Sequence, residues 1–168
     1  MLLRKLTEED TEALWNLRLR ALQDNPEAFG STYEETLQRG KESFRQRLRQ
    51  PHEQTFFLGA FEAESLVGMV GFYRESGLKG QHKGYIISMY AAPEQRRHGI
   101  GKALVAEAIA QARKIPGLEQ LLLAVVTTND AARRLYRSLG FEVYGLEPRA
   151  LKQDGQYWDE ELMILRLQ

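Results

Sequence analysis

At 168 residues, with 43% hydrophobic and 27% charged, the chain has the size and composition of one globular domain and not of a disordered polymer. Lysine plus arginine (23) balance aspartate plus glutamate (23), so no overall field draws the protein to nucleic acid or to an anionic membrane. The absence of cysteine excludes disulfides, thiolate nucleophiles and cysteine-ligated zinc or iron–sulfur centres, and makes a reducing cytoplasm the expected compartment.

The first ten residues lack the apolar core of a signal peptide, and the longest strongly apolar runs, Tyr85–Ala92 and Leu121–Val126, are too short to span a bilayer. Leu2 to Leu6 reads as a first strand. Asp10 is placed to cap a helix carrying Leu14, Leu17, Leu19 and Leu22, which the Asn25-Pro26 step ends. After a turn-rich link, Pro26-Glu27-Ala28-Phe29-Gly30-Ser31, the spacing from Ser31 to Glu34 predicts a capping box ahead of one polar helix running to Gln50-Pro51. Phe56–Glu62 and Leu66–Tyr73 read as a hairpin, and Gly77–Gly84 as a flexible loop.

The rhythm then changes to strand (Gly84–Ala91), helix (about Gly99 to Lys114), strand (Gln120–Thr127) and helix (about Asn129 to Leu139). Ile100, Leu104, Ala108 and Ala112 give the first of these helices an apolar stripe to lay on a sheet, and the crossover predicts two parallel strands joined right-handedly. A strand from Phe141 to Leu151, a turn at Gln153-Asp154-Gly155 and a closing strand to Leu167 complete an α+β pattern around a mixed sheet, in one domain spanning 1–168.

Between the middle strand and helix stands Arg96-Arg97-His98-Gly99-Ile100-Gly101-Lys102. The start of a helix offers unpaired N–H groups and a positive dipole end, glycine lets the backbone approach closely, and Arg96, Arg97 and Lys102 add charge: a phosphate site. The alternative is a plain strand-to-helix turn. A dinucleotide fold would want glycine where Leu104 stands, and a P-loop would want glycine at Arg96 and serine or threonine at Ala103. The histidines at 52, 82 and 98 show no metal-ligand spacing, and there is no Gly-x-Ser-x-Gly elbow.

The segment from Ile87 to Leu104, followed by Asn129-Asp130-Ala131-Ala132-Arg133-Arg134-Leu135-Tyr136 and Leu139-Gly140-Phe141, resembles the GNAT N-acetyltransferase superfamily. The resemblance covers residues 84 to 144 closely and the remainder loosely. It implies a mixed, mostly antiparallel sheet of about six or seven strands with helices on both faces and one parallel, splayed strand pair. It implies acetyl-CoA as cosubstrate, its pantetheine arm held by main-chain groups of Met89 and Ala91. Its diphosphate falls to Arg96, Arg97, Gly99, Gly101, Lys102 and their neighbours. An amine then attacks the thioester directly, with Tyr136 as proton donor to the sulfur and Asn129 steadying the cofactor.

The same resemblance leaves the general base open, because Ser88 stands where many relatives carry a carboxylate; Glu34, Glu35 and Asp159 are candidates. That gap keeps alive a second reading, a regulatory module that binds acetyl-CoA without transferring it. Trp15, Tyr33, Tyr157 and Trp158 are candidate walls of an acceptor pocket. The expected partners are an amine substrate and, as in many relatives, a second copy in a homodimer.

Overall fold

Seven strands are laid down in chain order: β1 (Leu2–Lys5), β2 (Thr55–Glu62), β3 (Ser65–Arg74), β4 (Lys83–Ala91), β5 (Gln120–Val126), β6 (Glu142–Gln153) and β7 (Gln156–Arg166). In the computed structural model, which covers residues 1–168, they form one sheet in the order β1-β2-β3-β4-β5-β7-β6. Every neighbouring pair is antiparallel except β4 and β5. Five helices cover it: α1 (Thr11–Asp24), α2 (Tyr33–Arg39), α3 (Glu42–Leu48), α4 (Ile100–Ala112) and α5 (Asp130–Ser138). None is long and apolar enough to cross a membrane.

The pleat of the sheet sends alternate side chains into two cores. The larger lies under α4 and α5 and gathers Phe72, Leu104, Leu121, Met163 and their neighbours; the smaller lies under α1 and α3 and gathers Leu14, Phe44, Phe57 and Met69. The predicted stripe of α4, Ile100, Leu104, Ala108 and Ala112, is buried, joined by Val105 and Ile109. Each large aliphatic side chain sealed in this way contributes about 1.5–3 kcal/mol, which anchors the helix whose first turn carries the phosphate motif.

Three local expectations give way to different chemistry. The Asp10 carboxylate does not cap α1; it accepts from Arg4 Nη1 and Nη2, both at 2.8 Å, and from the Thr7 N–H at 2.8 Å, tying the strand β1 to the turn before the helix. The capping box sits one residue later than its spacing read, at Thr32 and Glu35: Glu35 N–H donates to Thr32 Oγ1 (3.1 Å) and Thr32 N–H to Glu35 Oε2 (2.9 Å). The single polar helix predicted after it is two short ones, because Gly40 takes φ +74° and turns the chain between α2 and α3. That break swings α3 onto the sheet and brings Arg39 and Arg47 to the same cavity.

The β4–β5 pair is the shortest in the sheet. Only Lys83, Gly84 and Tyr85 pair with β5, opposite Gln120, Leu121 and Leu122. Beyond them β5 stays with β7, pairing from Gln120 to Val126, while β4 stays with β3. Across from Val70, β4 fits two residues, Ser88 and Met89, and Ser88 takes φ +56°: a bulge that bends the strand away from β5. The two strands part, and the edge of β4 from Ile86 to Ala91 faces no strand on that side.

Candidate active site

The phosphate turn is built by backbone. Arg97 (φ +68°) and Gly99 (φ +76°) are both left-handed, so successive N–H groups curl toward one point ahead of α4. No carbonyl or side chain of the protein accepts from the N–H groups of residues 97 to 102. A Cβ on Gly101 would come within 3.1 Å of Leu135 Cδ1 and 3.5 Å of Met89 Sδ, so the backbone there lies close against α5 and β4. Side chains of α1 brace the approach. Arg20 grips both oxygens of Glu94 (2.8 and 2.7 Å), and Tyr90 Oη donates to Asp24 Oδ2 (2.6 Å).

The predicted residues separate into two kinds. Arg97, Gly99, Gly101, Lys102, Met89, Ala91 and Asn129 border one cleft of about 450 Å³ at the turn. Arg96 borders it too, but its guanidinium is engaged, donating to Ala91 O (3.2 Å) and Asn25 Oδ1 (2.8 Å), so it holds the turn in shape. Arg97 and Lys102 are exposed and make no ion pair. Asn129 is the N-cap of α5, its Oδ1 accepting from Ala132 N–H at 3.1 Å.

Tyr136 is 7% exposed and packs edge-on against Phe141, ring centroids 5.9 Å apart. It borders a small cavity of about 70 Å³ in the gap between β4 and β5, shared with Ser88, Met89 and Asn129. Burial pushes its phenol well above the ordinary tyrosine value, so it keeps its proton. The helix that carries it is clamped to β7. Arg133 Nη2 donates to Glu161 Oε1 (2.6 Å), and Arg137 Nη2 lies 3.4 Å from Glu161 Oε2.

A third cavity, about 540 Å³, opens on the α1–α3 face, and Phe29 borders all three. Its aromatic walls are Phe29, Phe44, Tyr73 and Tyr85, not the four residues expected. Trp15 instead packs edge-on against Phe44 (5.8 Å), Tyr157 lies on the surface beneath Arg149, and neither Tyr33 nor Trp158 borders any of these three cavities. The base candidates are likewise elsewhere: Glu35 is a helix cap, Asp159 accepts from Arg149 N–H (2.7 Å), and Glu34 is exposed outside the cavity. The acid that does border it is Glu160, half-buried on β7. Burial, then its cross-strand neighbour Glu147, raises its carboxyl above the usual range.

Sequence reading missed Glu160 and the cavity's arginines, Arg18, Arg39 and Arg47. Two signals were present. Arg18 stands in the helical row Leu14–Arg18–Leu22, a cation on the face that meets the sheet. Glu160 and Glu161 are consecutive on a strand, so one acid must point to each face of the sheet.

Three cavities thus lie along the parted strand pair, one at the turn, one in the gap and one beside Arg18, with Phe29 bordering each. Residues 12–141 match the Acetyltransferase (GNAT) family, and the chain belongs to it. It is 34% identical over 140 residues to mycothiol acetyltransferase of Thermobispora bispora, covering 79% of this chain but 43% of that longer protein. With N-alpha-acetyltransferase RimI of Mycobacterium tuberculosis it shares 34% identity over 113 residues, 67% of each chain. The fold superposes on an acetyl-CoA-bound protein of Salmonella typhimurium with TM-score 0.81 at 23% identity, over 100% of this chain and 94% of that one. The turn suits that cofactor's chemistry: unsatisfied N–H groups for a diphosphate, and an unpaired strand edge for an amide-bearing arm.

Proposed function

We propose that this protein transfers an acetyl group from acetyl-CoA to a primary amine. The observation that carries the reading is the unbroken run of acceptor-free N–H groups from residue 97 to 102, opening onto the parted β4–β5 pair with Tyr136 at the gap. Acetyl-CoA supplies the acyl group as a thioester, already activated toward an amine.

The turn holds the diphosphate, with Arg97 and Lys102 adding charge from the rim. Met89 and Ala91 offer main-chain groups along the free edge of β4, and a donor there stabilises the thioester oxygen as negative charge grows on it during attack. Glu160, across the gap, takes the proton that the acceptor's ammonium must lose before its nitrogen can attack; its raised carboxyl sits nearer the working pH than an ordinary one. Tyr136 gives its proton to the departing sulfur and recovers one from the acylated nitrogen. The same desolvation that holds the proton on the phenol makes a bare thiolate in that gap a strong acceptor. Per turnover, one proton ends on sulfur and one in solvent. Asn129, as cap of α5, fixes the helix that presents Tyr136.

The charge balance and lack of cysteine support a cytoplasmic enzyme with no nucleic-acid partner. Titration calorimetry with acetyl-CoA, followed by a thiol-release assay over a panel of amines, tests the proposal. Saturable binding with turnover on at least one amine is expected, and no detectable binding overturns it. Tight binding with no acceptor among the amines favours the regulatory module instead.

A further inference from the structure

Resting on that transferase reading, we infer that the amine acceptor also carries a carboxylate, received by Arg18 with Arg39 and Arg47 beside it. The free α-amino acids are the simplest molecules of this class.

Arg18 leaves α1 on its buried side. Its guanidinium lies 4.5 Å above the Phe29 ring, and Nη1 donates to Ser88 Oγ at 3.2 Å. The other N–H groups of the fork meet no protein acceptor. Arg39, from the last turn of α2, and Arg47, stacked above Phe44 (5.9 Å), border the same cavity. None of the three takes part in any ion pair of the molecule, although the chain has as many acids as bases. Partly burying a guanidinium beside two like charges is unfavourable unless an anion is to occupy the space. The cost registers on Arg18 itself, whose pKa burial, then Arg47 and Arg39, draw down to about 10.

The anion is not the diphosphate of the cosubstrate. No residue of the turn from 96 to 102 borders this cavity, and the two cavities share only Ala28 and Phe29. A planar fork in contact with an aromatic face matches a carboxylate, which it can bind through two parallel hydrogen bonds. The remaining acid of the cavity, Glu160, sits across it on β7 and provides the complementary place for the amine. Ser88, the bulge residue bonded to Arg18, stands at the mouth of the gap where the thioester would lie. A carboxylate on Arg18 would lie beside Ser88 and so beside the gap, and a cavity of about 540 Å³ has room for an amino acid.

Thiol release is measured for leucine, phenylalanine, glutamate and lysine, each beside its own α-carboxamide, with phosphoethanolamine as a phosphate-bearing amine. Removing one charge-assisted bond pair costs enough that kcat/KM should favour the acids by about 10- to 100-fold. Arg18→Met keeps an apolar stem on Phe29 and should collapse that preference by raising KM for the acids, with acetyl-CoA affinity unchanged. Equal rates on acids and carboxamides in the parent protein overturn the inference without recourse to any variant. Preference for phosphoethanolamine overturns it as well. If acids, carboxamides and phosphoethanolamine all fail while another amine is acetylated, or if carboxamides alone turn over, only the carboxylate is sunk; if no amine at all is acetylated, the transferase reading fails and takes this one with it.

Discussion

On the proposed function, the turn at residues 97–102 recognises with backbone, and the cavity lined by Arg18 and Glu160 recognises with side chains. The first draws its donors from consecutive residues, and needs only two left-handed conformations and a glycine where α5 and β4 press close. The second draws Arg18 from α1, Arg39 from α2, Arg47 from α3 and Glu160 from β7. A backbone site tolerates change in almost every side chain except at its glycines. A side-chain site can be rewritten one residue at a time while the fold stays put, and so it is where members of one family part in what they acetylate.

This contrast can be broken at its junction. Tyr136→Phe removes only a hydroxyl at the meeting point of the two sites and should lower kcat by about 100-fold or more, with the acetyl-CoA Kd from calorimetry unmoved; an unchanged kcat, where chemistry limits turnover, removes Tyr136 from the reaction. Next in size, Gly101→Val puts branched carbon where Leu135 and Met89 already crowd, displacing the N–H groups of the turn. Acetyl-CoA affinity should fall on the order of 100-fold, while the melting temperature changes far less than that loss implies.

On the side-chain site, Glu160→Gln should cost about 10- to 100-fold in kcat/KM, less than a sole base because solvent can also take the proton. It should also abolish the acid limb of the pH profile that Glu160 sets as it protonates. Stability moves the other way. Because the folded carboxyl is raised, its stabilising contribution is complete below the unfolded value of about 4.3 and is lost as pH rises through the folded one. The variant should therefore melt higher than the parent at neutral pH, a fall there arguing that Glu160 is structural. Smallest of all, Lys102→Ala on the exposed rim of the turn should weaken acetyl-CoA about two- to fivefold, and by less in high salt.

Legibility followed the same division. The α4 stripe, the β2–β3 hairpin and the motif from Arg96 to Lys102 could be read because periodicity and turn chemistry are local. The capping box was off by one because Ser31 and Thr32 are chemically equivalent until the backbone picks one. The split at Gly40 went unread because a polar helix has no apolar rhythm to interrupt. Among the aromatics, Trp15 and Tyr33 were plausible walls by type alone, and only packing assigned that place to Phe29 and Phe44.

The sequence by itself determined the order of the strands and, the split between α2 and α3 apart, of the helices, and it marked the glycine turn ahead of α4, since each depends on interactions within a few residues. The parting of β4 from β5 is another matter: it requires β7 to hold β5 along its length while the Ser88 bulge commits β4 to β3. The meeting of Arg18 with Ser88 spans 70 positions of chain. No local propensity encodes which distant side chains share a cavity; sheet order and the faces of the pleat decide it, and they exist only once the chain has folded.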